Sequence, residues 1–235
     1  VTDSSLISTT TAAHPNYAIG ADFEEQLTDS PLTFTNVVIR ARYGLILQHA
    51  TAPFLRSPLT FTKCTFDTEI VSFGFSWFED SPITISESTL TGQAAVISFA
   101  VSTTRTPLTI VDSTLTNTLN SALWADGHVI KYTVPVTESA LTITGSTLKT
   151  VGADAIPASG VMFMWDATDT PVTVTNSEIS VKDAPLHFEV GPVTRCDVTV
   201  TDTVLTAGTA FDWMVLTDPD DETDVAIKDS RLERP

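Results

Sequence analysis

No run of eighteen apolar residues occurs in the 235-residue chain, so no segment is long enough to cross a bilayer as a helix. Positive charge is scarce: five Lys and seven Arg stand against 29 carboxylates, for a formal net charge of −17. That balance argues against nucleic acid and anionic lipid as electrostatic partners, and membrane insertion is not expected. Asp outnumbers Glu by 19 to 10, a composition suited to a secreted surface, a Ca²⁺-rich medium or high salt. No phosphate-binding glycine loop, catalytic-triad signature or zinc spacing occurs, and His14, His49, His128 and His187 are scattered. There is no N-x-S/T sequon. The polar opening VTDSSLISTTT does not read as a secretory leader, so a secreted form would already have lost one.

What the chain does have is one phrase written eight times. The copies are SPLTFTNVVI (30–39), SPLTFTKCTF (57–66), SPITISESTL (81–90), TPLTIVDSTL (106–115), SALTITGSTL (139–148), TPVTVTNSEI (170–179), CDVTVTDTVL (196–205) and TDVAIKDSRL (223–232). Counted between their central residues, Thr33, Thr60, Thr84, Thr109, Thr142, Thr173, Thr199 and Ala226, the spacings are 27, 24, 25, 33, 31, 26 and 27. A near-constant period with inserts of variable length marks a solenoid.

Within each phrase apolar and hydroxyl residues alternate. One inward column runs from Leu32 through Leu59 and Ile83 to Val225, and a second from Phe34 through Phe61 and Ile85 to Ile227. Period two in β-branched residues predicts a short strand with one buried face. A polar corner follows at Asn36, Lys63, Glu87, Asp112, Gly145, Asn176, Asp202 and Asp229. A second strand then turns Ile39, Phe66, Leu90, Leu115, Leu148, Ile179, Leu205 and Leu232 inward. A third apolar run has a middle column of Phe73, Phe99, Tyr132, Phe163, Phe188 and Trp213, expected to stack one rung apart. GLILQHA (44–50) belongs to the same run in an undetermined register.

Three strands per period without helical periodicity predict an all-β fold: a right-handed parallel β-helix of about eight coils, three strands each, forming one domain over residues 1–235. An antiparallel sandwich has no reason to repeat one side-chain order eight times. The pattern resembles the right-handed parallel β-helix (pectin-lyase-like) superfamily over essentially the whole chain. That resemblance implies the fold but not one activity, because the superfamily includes lyases, hydrolases, phage tailspikes, adhesins and passenger domains. Both ends fall in mid-coil: VTDSSLIS (1–8) matches VTDTVLT (200–206), and the last coil stops after its second strand. Open strand edges of that kind invite another chain.

Cys64 and Cys196 are five rungs apart, roughly 24 Å at about 4.8 Å per rung, far beyond disulfide reach. Both thiols are expected to be free and inert, Cys64 in a column of small residues with Ser88, Ser113, Ser146, Ser177, Thr203 and Ser230.

The resemblance also implies where an enzyme of this fold would keep its chemistry: an outward strand face bearing Asp, Lys or Arg. On the first strand those columns hold Thr33 to Ala226 and Thr35, Thr62, Ser86, Val111, Thr144, Thr175, Thr201 and Lys228, which offer almost no acid or base. On the third strand Lys131, His187, Glu189 and Asp212 are the candidate catalytic residues. Glu189 and Asp212 are expected diagonally on adjacent rungs at about 8 Å, a separation suited to an inverting glycosidase. Asp218, Asp220, Glu222 and Asp224 alternate along an acidic loop and are candidate Ca²⁺ ligands, although an EF-hand's glycine and terminal Glu are missing. Trp165 and Trp213 fall in inward columns, while Trp77 and Trp124, beside acids, are open as sugar platforms.

Three functions follow as expectations. The first is a non-catalytic extracellular or cell-surface solenoid, structural or adhesive, whose open ends meet neighbouring β-helix coils or subunits in a filament or a longer surface protein. The second is a polysaccharide lyase or glycoside hydrolase using Lys131, His187, Glu189 and Asp212. The third is ice binding by the Thr-X-Thr array, which resembles the ice-binding face of antifreeze solenoids.

Overall fold

The computed structural model describes residues 1–7, 19–23, 26–47, 53–75, 77–118, 127–152, 157–208 and 212–234. These residues form an all-β parallel solenoid of about seven turns with three sheets and no helix. The eight phrases supply the eight strands of sheet A, from Leu32–Thr35 through Leu108–Val111 to Val225–Lys228. Every pairing is parallel and in the register the repeats imply: Thr33 on Thr60, Thr60 on Thr84, Thr84 on Thr109, and so on to Thr199 on Ala226. The inward columns Leu59, Ile83, Leu108, Leu141, Val172 and Val198 are fully buried. Proline sits one residue before several of these strands, where its carbonyl serves the ladder and no N–H is needed: Leu32 N donates to Pro58 O and Leu59 N to Pro82 O.

The second and third strands of each coil share one fifteen-stranded sheet, B. In two early coils they are continuous, as Val38–Leu47 and Thr65–Phe75; later coils split them, as in Thr114–Asn117 and His128–Tyr132. That continuity corrects the register of the aromatic column. Phe99 pairs with Phe75, not Phe73, which pairs with Ile97 and Leu45; at the other end Phe188 pairs with Leu216, not Trp213. The stack is Phe75, Phe99, Tyr132, Phe163 and Phe188. From Phe99 onward its ring centroids are 4.5, 4.7 and 4.6 Å apart and tilted by at most 8°. Sheet C consists of six two-residue strands, Phe54–Leu55 to Val193–Thr194, whose first residues are buried and whose second residues face out.

Two corners in each coil are made by left-handed residues. One file is Asp3, Asn36, Lys63, Glu87, Asp112, Gly145, Asn176, Asp202 and Asp229, all with φ between 47° and 59°. The other, between sheets C and A, is Asp29, Arg56, Asp80, Arg105, Glu138, Asp169 and Arg195; Asp218 is also left-handed but lies level with Pro192. After most of these corners comes a hydroxyl, usually buried, that closes it. Ser113 Oγ donates to Val111 O at 2.7 Å and accepts the Ser88 N–H at 3.1 Å, while Ser113 N donates to Ser146 Oγ at 3.1 Å. The same two-way bonding links Ser57, Ser81, Thr106, Ser139 and Thr170 at the other corner.

Each cysteine replaces one hydroxyl in these files. Cys64 N donates to Ser88 Oγ, and Cys196 Sγ accepts the Thr170 N–H at 3.3 Å. Both thiols are free and buried, and burial pushes both pKa values up, which leaves them unreactive as nucleophiles. Ser113→Ala strands a buried N–H and is expected to cost about 1–3 kcal/mol in urea unfolding. Ser113→Cys, which reproduces what nature does at Cys64, is expected to cost clearly less; equal losses would show that the bond contributes nothing.

Candidate functional surfaces

Sheet A presents two outward files of hydroxyls, Thr33 to Thr199 and Thr35 to Thr201, interrupted by Val111 and completed by Ala226 and Lys228. All but Thr33 and Lys228 are half-exposed, and Thr62 Oγ1 lies 3.1 Å from Ser86 Oγ on the next rung. Sheet B carries a further threonine file at Thr65, Thr89, Thr114 and Thr147, and sheet C another at Thr104, Thr137, Thr168 and Thr194. Hydroxyls thus cover outward positions on all three sheets, and none is an acid or a base near neutral pH.

The four candidate catalytic residues do not share one register. Lys131 pairs with Met162 and Met162 with His187, so Lys131 and His187 occupy one outward file two rungs apart, on the order of 10 Å. Glu189 is exposed just beyond the end of its strand. The expected diagonal from Glu189 to Asp212 is not formed. With Phe188 on Leu216, Asp212 lies level with Ala184, five residues or roughly 16 Å along the strand direction from Glu189. Asp212 is 77% exposed and faces Arg234 at 3.6 Å.

His187 belongs instead to a polar corner that the sequence did not announce. Ser159 Oγ donates to Asp183 Oδ2 at 3.2 Å and lies 3.3 Å from His187 Nδ1; Asp183 Oδ2 is 3.7 Å from the same nitrogen. Ser159 N donates to His128 Nδ1, and Asn117 Nδ2 to His128 O, so the chain of bonds crosses successive coils. Although serine, histidine and aspartate meet here, Ser159 and Asp183 both approach the same His187 nitrogen, Nδ1, and Ser159 is fully buried. A triad relays a proton through opposite ring nitrogens to an accessible hydroxyl, so this cluster is built as a structural junction. Asp183 Oδ1 is buried without a hydrogen-bond partner in the structure.

The file of left-handed residues before sheet A carries the second unannounced feature. Arg56 grips Asp29, Arg105 grips Asp80 and Glu79, and Arg195 grips Asp169, each with a closest approach of 2.6 Å. These arginines hold Asp29, Asp80 and Asp169 below the ordinary carboxyl pKa of 3.8 through direct hydrogen bonds. Asp183 is also lowered. Burial pushes its pKa up, but His187, the Ser159 hydroxyl and the Ala184 N–H together outweigh that. In all four cases the unfolded chain takes up protons first as pH falls. The stability they confer is therefore complete only above about pH 5 and is lost as pH falls past 3.8 and through the folded values. Urea midpoints measured from pH 6 to pH 3 are expected to fall steeply at the acid end, and less so in Arg105→Gln; an unchanged slope in that variant would contradict this assignment.

In the acidic turn, Asp220 Oδ1 accepts from Thr223 Oγ1 at 2.7 Å and from Arg195 N at 3.2 Å, while Glu222 lies 4.0 Å from Arg195. Asp218 is a left-handed residue, and Asp224 N donates to Asp197 Oδ1. Among the described residues no three His, Cys, Asp or Glu side chains are grouped to hold a metal ion. Trp213 is half-buried against the core, bonded to Glu233 O at 2.8 Å and capped by Arg234. Trp165, expected inside, is 51% exposed because its strand ends at Phe163 and the chain bends before the alternation brings it inward. Trp77 is half-buried; Trp124, His14 and His49 lie outside the described residues.

Searches against known proteins found no matching family model, no matching curated protein and no matching solved structure.

Proposed function

We propose that this chain is a non-catalytic, extracellular structural or adhesive β-solenoid of the pectin-lyase-like kind, which meets further coils or another subunit through its terminal edges. One observation carries the reading. On the Val225–Lys228 rung, Val225 is 46% and Ile227 40% exposed, and Leu232 is 40% exposed on the strand that follows; their counterparts one rung back, Val198, Val200 and Leu205, are fully buried. The same inward columns that form the core elsewhere are therefore presented beside unpaired strand backbone, a surface shaped for another coil. Regular rungs, hydroxyl-coated sides and an Arg–carboxylate file suit a component whose use is length, rigidity and contact area. Electron microscopy and sedimentation at rising concentration test it. Rods should lengthen in whole multiples of the monomer, and Ile227→Lys should stop them; single-length rods at every concentration would refute it.

A second reading, ice binding by sheet A, is favoured by the unbroken register of Thr33 through Thr199, a lattice of about 4.8 by 7 Å. Thermal hysteresis lost in Thr109→Lys would support it, and its absence in the unaltered protein would end it.

A further inference from the structure

The corner between sheets B and C differs from the hydroxyl-coated faces. Trp165 stands there, 51% exposed and the one exposed aromatic side chain among the described residues. Two pairings, Tyr132 with Phe163 in sheet B and Val136 with Ala167 in sheet C, put it level with Val134 on the rung before. On the rung after, Glu189 is level with Met164 through sheet B, and Gly191 is level with Trp165 through sheet C. Val190, also 51% exposed, stands between those two residues. The nearest charged neighbours in the chain and on the following rung are carboxylates. A Cβ on Gly191 would collide with Asp166 Oδ1, so the Asp166 carboxylate leans across onto the rung that carries Glu189. Asp166 and Glu189 are both exposed, and neither is in an ion pair among the described residues, whereas Asp29, Asp80 and Asp169, one corner away, are each gripped by an arginine.

The chain itself shows what a tryptophan beside an aspartate takes. At Asp212 and Trp213, the guanidinium of Arg234 lies over the indole, 4.8 Å from its centroid, and 3.6 Å from Asp212 Oδ1. Trp165 and Asp166 repeat that pair on an open surface, with Glu189 as a second carboxylate. Among the described residues no cation of the chain's own lies over the Trp165 ring. We propose that Trp165, Asp166 and Glu189 form a docking site for an arginine side chain of a partner protein, whose neighbouring apolar residues rest on Val134 and Val190. A guanidinium suits the site better than an ammonium, because its plane stacks on an indole while its edge N–H groups bond carboxylates. The net charge of −17 attracts basic segments before contact and turns acidic ones away. The site is on the side of the solenoid, so it is independent of contact through the terminal edges.

Titration of a blocked Val-Arg-Val-Arg peptide into the whole 235-residue protein, followed by NMR of the peptide, is the test. Stacking on an indole should move the arginine δ-methylene protons upfield. The peptide with lysine for arginine should bind at least about threefold more weakly. Trp165→Leu should abolish the upfield shift and weaken binding about fivefold to tenfold. Its melting temperature should stay unchanged, since Trp165 lies outside the core. Asp166→Asn should weaken binding while keeping the shift. Raising NaCl from about 0.1 M to about 1 M should also weaken it, as the Debye length falls from about 10 Å to about 3 Å. Equal binding of the lysine peptide or of one with serine for arginine, an upfield shift that survives Trp165→Leu, or dimerisation of the chain through Trp165 in place of peptide binding would overturn the proposal.

Discussion

Replacing Phe163 with alanine is expected to remove about 3–5 kcal/mol of stability, a large share of the roughly 5–15 kcal/mol that holds a typical domain folded. Phe163 lies between Tyr132 and Phe188, with centroids at 4.7 and 4.6 Å and the three rings nearly parallel. It is 1% exposed. Truncation opens a ring-sized void whose walls are strands fixed by hydrogen bonds to both neighbouring rungs, so the site has little freedom to collapse. In a solenoid each coil is held mainly by its neighbours, and a lesion in a central coil weakens two interfaces together. Phe163→Leu keeps much of the volume and is expected to lose less than half as much. Urea unfolding followed by circular dichroism measures both; a loss under 1 kcal/mol for the alanine variant would mean that the stack is not a principal element of the core.

Gly44→Ala is expected to be nearly as harmful, at about 2–3 kcal/mol, for the opposite reason. Gly44 lies in Val38–Leu47, whose partner Thr65–Phe75 is the other long continuous strand. A Cβ at Gly44 would be driven into the backbone carbonyl of Ser72 and sit 3.1 Å from Phe66 Cδ1. Neither obstacle is the loose end of a flexible side chain. Ser72 is fully buried and donates its hydroxyl to Thr91 O at 2.8 Å, and Phe66 is packed edge-on against Phe73. The two strands must part at the place where their register already slips, between Ala41 and Tyr43. Elsewhere alanine for glycine in a strand raises stability slightly by stiffening the unfolded chain, so an unchanged or higher urea midpoint for Gly44→Ala would contradict this close approach.

Where the repeat kept its phase, the fold was readable residue by residue. The marker threonines and the left-handed corners from Asn36 to Asp229 occupy the places assigned to them, because one side-chain order recurring eight times leaves a parallel stack little choice of register. The reading slipped where period and length changed. Phe73 stands in sequence where Phe75 stands in the stack because early coils run their second and third strands together, and Trp213 precedes Leu216 because the insert before it is longer. Sheet C escaped notice since two residues are too few to show alternation. Its charged corner did leave a signal: Asp29, Arg56, Asp80, Arg105, Glu138, Asp169 and Arg195 each immediately precede the repeated phrase. The cluster of Ser159, Asp183 and His187 left none, because Ser159 and Asp183 come from inserts of unequal length that only the folded chain superimposes.

The central claim is that rungs, not residues, set distance along the axis. Pulsed electron resonance between spin labels on paired cysteines, in a Cys64→Ser/Cys196→Ser background, measures this directly. Labels at Thr33 and Thr142 are four rungs apart, those at Thr33 and Thr173 five, and those at Thr33 and Thr199 six. The account predicts separations of about 19, 24 and 29 Å, rising by about 4.8 Å per rung although the inserts between them differ in length. Distances that fail to rise in equal steps, or that fall between the fourth and sixth rungs, would contradict it.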